Sequence, residues 1–65
     1  MEYIVHYGKV KDFVPYTMNA KQGDAVIIDG LQNVKAFAGG NLKRLKAGCY
    51  WGIINDIEYY AEKAD

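Results

Sequence analysis

The stretch DGLQNVKAFAGGNLKRLKAG, residues 29–48, decides between two folds. Leu31, Val34, Ala38, Leu42 and Leu45 recur at steps of three, four, four and three, which places them on one helical face. Asp29 with Gln32 three residues on has the form of a capping box with Asp in the Ser/Thr place. Leu, Gln, Lys and Ala are good helix formers. Gly39 and Gly40 oppose the helix, since two interior glycines cost about 2 kcal/mol relative to alanines. The spacing therefore predicts a helix over 30–38 that ends at Gly39 in a left-handed conformation. A second short helical turn then runs from Asn41, its N-cap, to Gly48, its stop. The rival is a hairpin, with NVKAFA and LKRLKA as strands and GGN as their loop.

On the N-terminal side, EYIVHYGKV alternates, with Tyr3, Val5 and Tyr7 on one face and Ile4 and His6 on the other. Period two with β-branched and aromatic residues predicts a strand that Gly8 ends or bends. KDFVPYTMNAKQG has no clean period. Pro15 lacks an amide donor and holds Val14 extended, so the expectation is a connection with a short edge strand around Phe13 to Met18. KQGD supplies a turn. DAVIIDG is a continuous apolar run between turn signals and reads as a strand covered on both sides.

On the C-terminal side, CYWGIIND is rich in strand formers. IEYYAEKAD has two readings. Asp56 can cap a terminal helix with Ile57, Tyr60, Ala61 and Ala64 inside, or Asn55-Asp56 can be a two-residue turn that pairs Ile57 to Ala61 back on Ile53 and Ile54. The charges and the final alanine favour the helix. The resulting expectation is a small single α+β domain over residues 1–65, with an antiparallel or mixed sheet of about three strands, a broken helix and a short C-terminal helix. If the ambiguous segments are strands, the alternative is a small all-β barrel of the SH3 or OB kind.

A 65-residue chain buries only about 60% of the surface exposed when unfolded, so a staple is expected. With one cysteine, Cys49, no internal disulfide forms, and Cys49 with the single His6 cannot close a zinc shell. A partner subunit is the remaining staple, and a homodimer is expected. No basic region precedes an apolar one at the start, so no signal peptide is expected, and no apolar run is long enough for a membrane span. A free thiol suits the cytoplasm.

The net charge is zero but unevenly placed. Residues 31–48 hold Lys35, Lys43, Arg44 and Lys46 and no acid, whereas residues 49–65 hold Asp56, Glu58, Glu62 and Asp65 against Lys63. Such a distribution favours directional contacts over general affinity for a polyanion.

Catalytic sets are sparse. A Cys49–His6 pair would be a nucleophile and its base, but a strand-face histidine and a buried thiol are the simpler reading. Glu58 and Glu62 fall on a solvated face of the expected terminal helix. The chain has no serine, and Thr17 stands alone, so no enzyme is expected. His6 with Asp12 or Asp24 shows no repeating metal-ligand spacing, and neither metal nor cofactor is expected. GGNLKR could turn backbone amides toward a phosphate, but it lacks the Gly-Lys-Ser/Thr ending of a P-loop.

Two functional readings survive. Nine aromatic rings exceed what so small a core encloses, and surface Tyr, Trp and Arg anchor interfaces. The first reading is thus a small intracellular protein-binding protein that occludes or alters a larger protein partner, with Lys43, Arg44, Lys46, Tyr50 and Trp51 as contact residues. In size and composition it resembles, in general kind, the stand-alone inhibitors of phages and other mobile elements. The second is a nucleic-acid-binding module using Lys43, Arg44 and Lys46 beside stacking aromatics. The absence of an overall basic excess counts against it.

Overall fold

A computed structural model describes residues 1–10 and 24–64. The elements are β1 (Glu2–Lys9), β2 (Asp24–Asp29), α1 (Leu31–Ala38), β3 (Lys43–Lys46), β4 (Cys49–Ile54) and β5 (Ile57–Lys63). They form one five-stranded sheet in the order β2-β1-β5-β4-β3, every neighbouring pair antiparallel. The α+β class and single compact unit stand, but among the described residues there are five strands instead of about three, and one helix instead of a broken pair plus a terminal one. The expected edge strand around Phe13 to Met18 lies outside the described residues. Among the described residues no helix is long and apolar enough to cross a membrane.

The alternation in β1 is realised. Tyr3, Val5 and Tyr7 share a face with Val26 and Ile28 of β2 and with Tyr59 and Ala61 of β5. α1 covers this face, with Val34 and Ala38 fully or nearly buried. Tyr7 and Phe37 meet edge-to-face at 5.2 Å, and Phe37 meets Tyr59 the same way at 6.0 Å.

The 29–48 stretch uses one half of each reading. α1 ends as expected, with Gly39 left-handed at φ 84° and its N–H donating to the Lys35 carbonyl at 2.9 Å. Beyond it the chain is extended, not helical. Leu42 is buried against the core, and a Cβ on Gly52 would come within 2.9 Å of its Cδ2, so the glycine makes the seat for that leucine. Asn41 is therefore not an N-cap, Leu45 is not inward-facing but exposed, and Gly48 turns the β3–β4 hairpin at φ 79°. The Asp29 capping box is also absent. Gly30 occupies the N-cap without a side-chain bond, and the Asp29 carboxylate accepts from the Met1 ammonium at 2.8 Å.

Two further expectations are corrected. Residues 57–63 form β5, not a helix. Asn55 and Asp56 both adopt positive φ, 52° and 65°, and pair Ile54 with Ile57 in a two-residue hairpin. Once β5 lies between β1 and β4, its backbone groups are used on both sides and tertiary pairing overrides helix propensity. β2 is not covered on both sides; among the described residues it is an edge strand, with Ala25 and Ile27 exposed. β1 also continues through Gly8 to Lys9.

The turn supplies a test. Asp56→Val places a β-branched residue in the left-handed region and is expected to cost about 1–2 kcal/mol, read as a lower urea midpoint at unchanged slope. Asp56→Gly should not lower the midpoint.

Candidate functional site

The face of the sheet turned away from α1 carries His6, Cys49, Glu58, Tyr60 and Glu62. Register sets this: His6 lies opposite Tyr60, Trp51 opposite Tyr60 on the other side, Ile53 opposite Glu58, and Cys49 opposite Glu62. Glu58 is 1% exposed, and its Oε2 accepts from the Trp51 indole Nε1 at 2.6 Å. A buried carboxylate is costly unless hydrogen-bonded. The indole donor offsets part of that cost.

Tyr60 is buried, and its hydroxyl donates to Cys49 Sγ at 3.7 Å. That bond, then burial, then the nearby Cys49 and Glu62 push the phenol from 10.0 up to about 12. Its proton is thus held for the thiol sulfur. His6 Nε2 lies 3.4 Å from Glu62 Oε1. Cys49 and His6 share this face but engage different partners, so the pairing needed for a thiol nucleophile and its base is not assembled. Glu58 and Glu62 are on a strand, not a solvated helix, and Glu58 is buried. Asp24 lies opposite Tyr7, on the other face from His6, while Asp12 lies outside the described residues. Among the described residues no group of three His, Cys, Asp or Glu side chains could hold a metal ion.

The five candidate contact residues separate. Lys43, Arg44 and Lys46 are exposed on β3, which is an edge strand among the described residues. Lys43 lies opposite Trp51, and Arg44 opposite Tyr50. Tyr50 faces the core, half-buried, its ring 6.1 Å from Tyr3. Trp51 faces the other way, half-buried, its N–H committed to Glu58. β3 bulges between Arg44 and Lys46, which brings Lys46 opposite Cys49. Among the described residues no carboxylate lies within ion-pair distance of Arg44 or Lys46.

Sequence reasoning missed the Trp51–Glu58 and Tyr60–Cys49 bonds. Their only signal was the two-residue Asn55-Asp56 turn, which once accepted places each pair on one face as diagonal neighbours, two positions from the directly opposed residue. Comparison with protein-family models, curated proteins and solved structures found no match.

Two measurements test the buried bonds. Trp51→Phe removes the indole donor to Glu58 and is expected to cost about 1–3 kcal/mol in denaturant unfolding. The folded chain holds the Tyr60 proton more tightly than the unfolded chain, so this contribution is complete below pH 10 and lost as pH rises toward about 12. Ultraviolet titration should show a tyrosinate step near pH 12 that Tyr60→Phe abolishes.

Proposed function

We propose that the chain is a small, non-enzymatic, cytoplasmic protein-binding domain that docks an acidic surface of a larger protein and so occludes or alters it. The supporting observation is the β3 edge: Lys43, Arg44 and Lys46 all exposed on four residues at one end of the sheet. Among the described residues no carboxylate pairs with Arg44 or Lys46. A charged, bulged edge is unsuited to joining a neutral strand but complementary to an acidic one. Arg44 supplies a planar fork for carboxylates, and the two lysines add charge. Tyr50 and Trp51 serve as the packed floor behind these cations instead of as contact residues. The stand-alone inhibitors of mobile elements remain the general kind of protein this reading suggests.

Single-stranded nucleic acid fits less well. Stacking needs open aromatic faces, whereas Tyr50 faces the core, Trp51 is half-buried and Phe37 packs on Tyr7 and Tyr59.

Capture from native cells by the tagged chain, compared with Arg44→Glu and Lys46→Glu, tests the reading. Each reversal is expected to weaken capture about tenfold or more, while Gln32→Glu on the exposed side of α1 leaves it unchanged. Equal capture by the reversed variants, or tight binding to single-stranded DNA or RNA that collapses with added salt, would refute it.

A further inference from the structure

The two edges of the sheet differ in character. β3 is short, bulged and cationic, which are devices by which natural sheets avoid pairing edge to edge. β2 has none of these. Its register on β1 runs unbroken from Glu2 opposite Asp29 to Tyr7 opposite Asp24. Residues 25–28 are all apolar, with the two charges confined to the ends. Ile27 is 66% exposed and Ile4, opposite it, half-buried. On the other face Val26, Ile28 and Leu31 pack against the core yet remain only half-buried. Among the described residues, the hydrophobic core therefore runs out to this edge without being closed there.

We propose that β2 is a dimerisation strand: a second copy of this chain pairs with it antiparallel, about a two-fold axis normal to the sheet at Ile27. Five strands from each copy then form one ten-stranded sheet. A two-fold normal to the sheet keeps both helices on the same side, so each residue must face one of its own parity. With Ile27 opposite Ile27 of the second copy, Val26 falls opposite Ile28 and extends the core row on the helix side. Asp29 falls opposite Ala25, and Asp24 opposite Gly30, so no carboxylate directly faces another. The same operation at β3 would gather three cations from each copy on one seam. A head-to-tail arrangement fares no better. Four successive antiparallel steps make β2 and β3 run in the same direction, so their pairing would be parallel, would meet the bulge and would not close. A dimer also supplies the staple that so short a chain lacks. It leaves a β3 edge at each end, nine strand spacings or roughly 43 Å apart before twist, so the partner surface is presented twice.

Sedimentation of the full chain across the micromolar range is expected to show twice the 7.3 kDa monomer mass. Ile27→Lys should weaken the dimer at least about tenfold with an unchanged circular dichroism spectrum, because this side chain is exposed in the monomer. Ile27→Cys should cross-link to a covalent dimer on mild oxidation, well above the background from buried Cys49, whereas Ala25→Cys, which would face Asp29, should not. A monomer throughout the range, a dimer indifferent to Ile27→Lys, open-ended polymers, or equal cross-linking of the two cysteine variants would overturn the proposal. Arg44→Glu is expected to leave the dimer intact, and monomeric Ile27→Lys to keep single-site partner binding, so this proposal and the β3 reading fail separately.

Discussion

The register of the β4–β5 hairpin is the constraint on which the rest of the molecule depends. Asn55 and Asp56 both sit at positive φ, and the turn they make pairs Ile54 with Ile57. Every later pair along β5 follows from that one. β5 is the central strand of the sheet, so its register also fixes which residues of β1 and β4 share a face. A slip of one residue would move Tyr59 and Ala61 out of the core and put Glu58, Tyr60 and Glu62 beneath the helix. Three polar side chains facing Val34 and Ala38 would leave no stable packing there.

With the register set, the two faces have different chemistry. The helix side is closed by Val5, Val34 and Ala61, each fully buried, with aromatic rings at its rim. The other side holds buried polar groups that are satisfied across strands: Trp51 to Glu58 and Tyr60 to Cys49. Among the described residues no buried side-chain nitrogen or oxygen lacks a hydrogen-bond partner. Such a network specifies one arrangement because a partly made version is worse than an apolar one. It also explains why the two most reactive-looking side chains, His6 and Cys49, are parts of separate bonds.

The proposed function rests on the edges of the sheet. A sheet edge offers backbone donors and acceptors to any extended segment, and the side chains beside them decide what is admitted. β3 answers with cations and a bulge, β2 with an uninterrupted apolar row. In the proposals above, the first meets an acidic partner and the second another copy of the chain, at opposite ends of one sheet.

Much of this was determined by the sequence alone. The alternation of Tyr3, Val5 and Tyr7 assigned β1 and its core face, and Leu31, Val34 and Ala38 with the glycine after them placed α1 and its left-handed end. The basic character of 43–46 was equally plain. What only the tertiary structure decided was the state of each segment whose local signals conflict. LKRLKA continues a helical period, yet Leu42 reaches the core by seating on Gly52, which needs an extended chain. IEYYAEKAD has helical charges, yet its backbone completes two neighbouring strands. Edge or centre is likewise not written in a strand's own residues: DAVIID has the composition of a covered strand but lies at the margin of the sheet. Local propensities differ by tenths of a kcal/mol per residue, whereas backbone pairing and core burial act together over a whole element, so non-local contacts determine the result wherever local preferences are evenly matched.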